Sequence, residues 1–341
     1  MRFPKFIRSG DTIGFVAPAF GCAIEPYHSA FLNTIKKFHE MGYATNLGKN
    51  CFSDAGIGIS NKPEICAEEL MDMYQNQNSD CLISCGGGEL MCEVVSHLDF
   101  SALAAARAKW FMGYSDNTNF SFLLTTLADT ASIYGPNAAA FGMEPWHESI
   151  SDAMELLKGK KLTMTNYSHW EKESVKDEDH PFEPYHVTEP FVLHSFPAKE
   201  NFSFEGRLIG GCMDCLLHLA GTRFDNVVSF AEKYKSDGIV WFLESCDLNV
   251  MEMRRCLWNL KEAGWFHYAK GFLIGRPLHF EEPMLGLNQY DAVTGILGDL
   301  GVPIVMDLDI GHRAPMMPLV CGSYGLVEVN QGEIQITMEM K

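Results

Sequence analysis

Nowhere in its 341 residues does the chain hold an uninterrupted run of about 18 apolar side chains, the length a membrane-spanning helix needs. Basic residues are scarce. There are 26 Lys+Arg against 44 Asp+Glu, a net charge of −18 with His neutral, and no basic stripe to meet a phosphate backbone, so neither a membrane nor a nucleic acid is the expected partner. No Gly-x-x-x-x-Gly-Lys-Ser/Thr occurs, and the one tight glycine run, Gly86-Gly87-Gly88, is followed by Met91 where a dinucleotide fingerprint wants its third glycine. Internal repeats and low-complexity tracts are absent too. The opening Met1-Arg-Phe-Pro-Lys-Phe-Ile-Arg8 is charged too early for the apolar part of a signal peptide. The eleven cysteines are odd in number and scattered through apolar segments, which suits reduced thiols in the cytoplasm better than a disulfide framework.

What is present is a 47% hydrophobic, 12% aromatic, 21% charged composition, typical of a folded globular chain long enough for about two domains. The first half alternates short apolar runs with amphipathic stretches. Residues 11–17 read as a buried strand ending at Pro18. Residues 26–41 read as a helix, with Phe31, Ile35 and Phe38 on one face and Gly42 as the stop. A helix is predicted over 63–76, with Pro63 in its first turn. Strand 81–84 leads through the glycines to a helix over 89–97, and strand 109–112 leads through Gly113-Tyr114-Ser115-Asp116 to a helix over 117–127. Strand, glycine turn and helix in succession predict an α/β fold with a mostly parallel sheet and flanking helices. From about 163 to 204 the period disappears into a His-, Glu- and Pro-rich stretch, which is either a functional lid or a linker. Order returns with Gly206–Gly211, a helix to Ala220, strand 238–243, helix 249–263, strand 271–275, a helix near 289–299, and β-like runs at 319–328 and 333–338. The expected organisation is therefore an N-terminal α/β domain (1–162), a connecting insertion (163–204) and a C-terminal domain (205–341).

Four segments carry chemistry. Ser115 sits on a sharp strand-to-helix turn that pushes its hydroxyl out at the carboxyl end of the sheet, near the positive end of a helix. The pattern resembles the G-x-S-x-G elbow, but its fifth residue is Asn117, so Ser115 or Asp116 as a helix cap is the competing reading. Gly86-Gly87-Gly88 brings backbone N–H groups within reach of an anion, or is simply a turn needing positive φ. Glu244 ends the apolar strand Ile239–Leu243, an odd place for a carboxylate without a task, though a salt-bridged or capping acid would also fit. His312 lies in the polar loop Asp307-Leu-Asp-Ile-Gly-His312, and of the twelve histidines it has the most site-like setting; His97 and His218 fall in helical stretches. Serine, glutamate and histidine together would make a nucleophile–base–orienter set. Cys212-Met-Asp-Cys215 has no second pair at zinc-site spacing and reads as two small buried thiols, so no metal is expected.

In this order the segments resemble the LD-carboxypeptidase family of serine peptidases, which includes muramoyl-tetrapeptide carboxypeptidases and microcin C immunity hydrolases. The resemblance takes in Gly10-Asp-Thr-Ile-Gly-Phe-Val-Ala-Pro18, Gly87-Gly88, Gly113-Tyr-Ser-Asp116, Gly206-Arg-Leu-Ile-Gly-Gly211 with Leu219-Ala-Gly-Thr222, Phe242-Leu-Glu244 and Gly311-His312. It implies Ser115 as nucleophile, His312 as base and Glu244 as its orienter, with an oxyanion hole from the backbone N–H groups of Gly87, Gly88 and Asp116. It also implies an N-terminal α/β domain, a smaller C-terminal β/α domain, an active site between them, a homodimer and no cofactor or metal. The substrate implied is a small peptide, by default the L,D-bond of a murein tetrapeptide. A peptidyl or aminoacyl nucleotide conjugate is the alternative, and a non-catalytic peptide- or nucleotide-binding protein is the reading from outside the enzymes. Two departures are visible. The family often has Asn where this chain has Cys212, and the 163–204 segment is long. Members like the immunity hydrolases carry a comparable insertion with aromatics that cover a nucleotide-like group, a task for which Trp170 is the first candidate here, with Tyr167 and Phe182 beside it; a solvated loop is the alternative.

Overall fold

A computed structural model describes residues 1–56 and 58–341. The chain divides into two compact units, Met1–Lys161 with Glu173–His186, and Leu162–Lys172 with Val187–Lys341.

In the first unit five parallel strands, β1 (Thr12–Val16), β2 (Ala44–Leu47), β3 (Cys81–Ser84), β4 (Trp110–Gly113) and β5 (Ser132–Tyr134), lie in the order β5-β4-β3-β1-β2. β3 and β4 are buried throughout, which is why they read as unbroken apolar runs rather than alternating ones. The helices are α1 (Tyr27–Glu40), α2 (Pro63–Gln75), α3 (Met91–Val95), α4 (Phe100–Ala105), α5 (Thr118–Thr126) and α6 (Glu148–Leu157). One core layer joins Val16 and Leu82 of the sheet to Leu70 and Tyr74 of α2 and to Phe120 and Leu124 of α5. Because the chain adds β2 on one side of β1 and then crosses to add β3 on the other, the winding reverses between β1 and β3. Crevices outside the carboxyl ends of strands at such a reversal are where open α/β sheets take their ligands. The glycine run follows β3 and Ser115 follows β4, at that end.

In the second unit an eight-stranded sheet has the order β6-β16-β15-β10-β11-β12-β13-β9. Its strands are β6 (Thr163–Thr165), β9 (His194–Phe196), β10 (Asn201–Cys212), β11 (Ile239–Glu244), β12 (Ala269–Gly275), β13 (Ile304–Leu308), β15 (Tyr324–Asn330) and β16 (Glu333–Glu339), with β7 (His169–Glu171) pairing β8 (Val187–Pro190) apart from it and a short β14 at Leu319–Cys321. The four central strands, β10 to β13, run parallel, and the flanking ones antiparallel. Helices α7 (Met213–Leu219), α8 (Val227–Lys233), α9 (Val250–Glu262) and α10 (Gln289–Leu297) complete the unit. Trp241 of β11, fully buried, stacks on Trp265 with ring centroids 5.8 Å apart.

The differences from the sequence reading are local. The run predicted at 319–328 is broken at Gly322-Ser323, where Ser323 N–H turns back to the Val320 carbonyl and Arg207 Nη1 takes the Gly322 carbonyl at 2.6 Å. The 89–97 helix is reduced to α3, so His97 stands in the turn after it rather than in a helix, 3.8 Å from Glu64. The period-less 163–204 stretch holds four strands of three or four residues, too brief for an alternation to be read, and the long β10 already begins inside it at Asn201 rather than at Gly206.

Candidate functional site

The setting of Ser115, in the first unit, is built by the turn after β4. Ser115 has φ +64, the left-handed region that a β-carbon disfavours, and it opens a single 3₁₀ turn before α5. Strain of this kind persists only where surrounding contacts enforce it. The enforcement comes from Asn117, which is fully buried: its Nδ2 donates to the Gly86 carbonyl at 2.7 Å and to the Tyr114 carbonyl at 3.1 Å, tying the glycine loop to the serine turn. Asn137 Oδ1 accepts from the Tyr114 N–H at 3.3 Å. The residue at the cap of α5 is Asn117, not Ser115 or Asp116. The Asp116 carboxylate instead accepts from the Met91 N–H and from Asn119 Nδ2, each at 2.9 Å, which fixes the start of α3 against the start of α5. Gly87 lies against the serine: a β-carbon on it would stand 3.0 Å from both Cβ and Oγ of Ser115. The turn therefore holds a hydroxyl, a glycine loop and a helix N-terminus together.

Glu244 and His312 belong to the second unit. Glu244, with no exposed surface, ends β11, and its carboxylate Oε2 accepts from His312 Nδ1 at 2.8 Å. Gly311 makes this approach possible, since a side chain there would strike Glu244 Oε2 at 2.3 Å and the backbone adopts φ +101. The chain leading to His312 is anchored by two buried carboxylates. Buried Asp309 pairs with Arg276 Nη1 at 3.1 Å and accepts the Tyr167 N–H at 3.0 Å, and burial pushes its carboxyl up to about 6. Asp307 Oδ2 accepts from His194 Nδ1 and the Tyr290 hydroxyl, each at 2.7 Å. Burial pulls the His312 ring toward neutrality, but the Glu244 charge and the ring's hydrogen bonds to Cys246 and Glu244 outweigh it, and the pKa stands well above the ordinary 6.5. In the parallel register of β10 and β11, Cys212 is the direct neighbour of Glu244.

The chain matches the LD-carboxypeptidase N-terminal domain model over residues 13–135 and the LD-carboxypeptidase C-terminal domain model over residues 205–325. It belongs to the LD-carboxypeptidase family. A carboxypeptidase-named protein of Vibrio cholerae is 25% identical over 337 residues, 96% of this chain and 95% of that protein. The microcin C7 self-immunity protein MccF of Escherichia coli is 24% identical, with 96% and 93% covered, and a Bacillus subtilis protein named as a murein peptide carboxypeptidase is 25% identical, with 94% and 89% covered. Among solved structures, an MccF-like protein of Bacillus anthracis superposes with a TM-score of 0.85 at 19% identity over the whole of both chains. MccF in complex with glutamyl sulfamoyl guanosine superposes at 0.81 with 20% identity and 98% of each chain covered, a likeness of fold.

Membership in the LD-carboxypeptidase family makes the chain a peptidase-type hydrolase, and the structure adds residues that reading the sequence missed. Asn117 stands where the elbow pattern wants its fifth glycine, and it is the brace of the serine turn. Cys246, two residues beyond Glu244, hydrogen-bonds His312 and carried no spacing signal. Trp170 is buried on β7, with the Arg276 guanidinium 4.5 Å and the Arg313 guanidinium 5.8 Å from its ring centre and the Phe280 ring edge-on at 5.2 Å. Tyr167 is buried as well, and Phe182 is exposed. No helix among the described residues is long and apolar enough to cross a membrane.

Proposed function

We propose that the chain is a serine carboxypeptidase-type hydrolase that cuts an amide bond at the carboxylate-bearing end of a small peptide, by default the L,D-bond of a murein tetrapeptide. The observation that carries the reading is the buried Glu244 carboxylate bonded to His312 Nδ1, in a chain whose Ser115 is held on a strained turn. Glu244 fixes the ring with Nδ1 protonated, leaving Nε2 to take the Ser115 proton. Ser115 Oγ then attacks the carbonyl, and N–H groups of Gly87, Gly88 and Asp116 hold the oxyanion that forms. His312 returns the proton to the leaving amine, the amine departs, and a water deprotonated by the same nitrogen releases the acyl group from Ser115. No step calls for a metal or an organic cofactor. Trp170 contributes by holding the two guanidiniums, one of them next in sequence to His312. A homodimer in the cytoplasm, recycling wall peptides, is the setting this reading implies.

A second reading, hydrolysis of the amide in an aminoacyl nucleotide conjugate, is supported by the relative named for microcin C7 self-immunity, which has been solved with aspartyl and glutamyl sulfamoyl nucleosides. Purified protein incubated with an L,D-tetrapeptide and, separately, with glutamyl sulfamoyl adenosine decides between them by mass spectrometry. D-Ala release is the expected result. Glutamate release without D-Ala transfers the assignment to the conjugate. Tight binding of both with turnover of neither overturns the hydrolase and leaves a binding protein.

Gly87 offers a narrower test. A methyl group there presses on Cβ and Oγ of Ser115 from 3.0 Å, so the serine must give by a few tenths of an ångström, a fraction of the displacement of about 1 Å that costs on the order of 100-fold. Gly87→Ala is therefore expected to lower kcat measurably but by less than that factor in steady-state kinetics, with KM little changed. A variant with wild-type kcat would remove the glycine loop from the chemistry.

A further inference from the structure

The Cys-x-x-Cys segment finds no use in the hydrolysis, yet the fold delivers its first thiol to the catalytic pair. One ligating atom each from Cys212, Glu244 and His312 lies within 4.8 Å of the other two, and Cys212 and Glu244 are buried. These residues are 32 and 68 positions apart along the chain, so no sequence spacing announces them; the parallel pairing of β10 with β11 and the loop after β13 bring them together. Cys246 adds a second thiol against the His312 ring. The surroundings are negative: Asp214 Oδ2 lies 3.3 Å from Cys212 Sγ and accepts the Cys246 N–H at 3.0 Å.

We propose that Cys212, Glu244 and His312 form a site for a thiophilic divalent cation of the zinc type, and that occupation of this site switches the hydrolase off. Sulfur, imidazole nitrogen and carboxylate oxygen are the donors zinc takes, and three protein ligands plus a water complete a tetrahedron. Bond lengths of about 2.0–2.3 Å set the donors roughly 3.3–3.8 Å apart. The imidazole and carboxylate, now 2.8 Å apart, open slightly and the thiol closes in by side-chain rotation. The partly exposed His312 gives the ion its way in. The metal forms bonds to Sγ, Oε and Nδ1, and the thiol proton of Cys212 leaves to solvent. The Nδ1 proton is displaced as well: a ring that was neutral re-protonates on Nε2, and a ring that was cationic keeps the Nε2 proton it had. Either way Nε2 carries hydrogen and has no lone pair for the Ser115 proton. Loss of turnover rests on the hydrolase reading above; binding of the ion does not.

Cobalt(II) titrated anaerobically into the reduced full-length protein tests binding without any substrate. The expected result is a thiolate-to-cobalt charge-transfer band saturating at one equivalent and displaced by zinc. The band should vanish in Cys212→Ser and persist in Cys215→Ser, its neighbour in the same motif. Loss of an outer partner of a metal ligand weakens binding 10–100-fold, so losing the thiolate itself should weaken zinc by roughly 100-fold or more. In turnover assays micromolar zinc should inhibit the wild type, a chelator should restore it, and Cys212→Ser should ignore zinc at whatever rate it runs. Should Cys212→Ser not fold, X-ray absorption of the zinc-loaded wild type replaces it, with a sulfur scatterer near 2.3 Å expected. No charge-transfer band in the wild type, a band that survives in Cys212→Ser, or zinc bound with no sulfur in its shell overturns the site. If the protein hydrolyses neither substrate but gives the Cys212-dependent band, the hydrolase reading falls and the metal site stands.

Discussion

Ser115→Ala should abolish amide hydrolysis while leaving substrate binding and stability intact. In serine hydrolases loss of the nucleophile alone costs about 10⁶ in kcat, and what remains comes from the oxyanion donors and from binding. The same split is expected here. Single-turnover assays should show no acyl-enzyme, and calorimetry with the uncleaved peptide should give an affinity near the wild-type KM. The backbone supplies a second readout. Ser115 holds φ +64, and alanine has the same β-carbon and tolerates that region no better, so the melting temperature should stay where it is. Ser115→Gly removes the β-carbon and its strain, and should gain about 1 kcal/mol in chemical denaturation while losing activity equally. Stability that rises as activity disappears is the mark of a strained functional turn. If Ser115→Ala keeps its activity, the serine is an ordinary turn residue and the nucleophile lies elsewhere.

How much of this was legible beforehand varies with the range of the interaction. β1, β3, β4 and β11 were readable because strands buried on both faces must be apolar along their whole length, and α1 and α9 because one face repeats. Ser115, Glu244 and His312 stand out as candidates for a related reason: a polar side chain at the end of a buried strand, or in a glycine-bounded loop after one, breaks a pattern that is otherwise unbroken. Asn117 was not, because its work is a bond to the Gly86 carbonyl 31 residues away. Cys212 looks locally like half of a Cys-x-x-Cys, whereas its position depends on which strand pairs with β10. Glu171-Lys172 and the rest of the charged run after them part company, the first two staying with the second unit and Glu173–His186 going to the first, although nothing in composition marks that point. Local rules see periodicity and exception; strand order and loop anchoring are decided by the packing of distant segments.

Glu244→Gln should lower kcat by about 10⁴ with little change in KM, the size seen when the acid that orients a catalytic histidine becomes an amide. Glutamine fills the same volume in a site with no exposed surface, so the substitution changes charge and hydrogen bonding rather than packing. It can also present its NH₂ to the ring, which favours the tautomer with hydrogen on Nε2, the nitrogen that must be bare. The pH profile separates orientation from mere structure. In the wild type burial alone would lower the His312 pKa, and the Glu244 charge, with the ring's bonds to Cys246 and Glu244, drives it well above 6.5. The base is active only when unprotonated, so the acid limb of kcat/KM should lie above 6.5, with activity rising as pH rises through it. Removing the charge should move that limb downward, so that the deficit of Glu244→Gln is smaller on the acid side of the limb than on its plateau. Stability should run the other way. A group whose folded pKa exceeds its unfolded one stabilises the fold fully below the unfolded value, near 6.5, and loses that contribution as pH climbs through the folded value. The wild-type advantage over Glu244→Gln in urea denaturation should accordingly be larger at pH 6 than at pH 9. An acid limb that stays in place in Glu244→Gln, or a stability gap that grows toward alkaline pH, would detach Glu244 from the protonation of His312 and leave the carboxylate a structural role only.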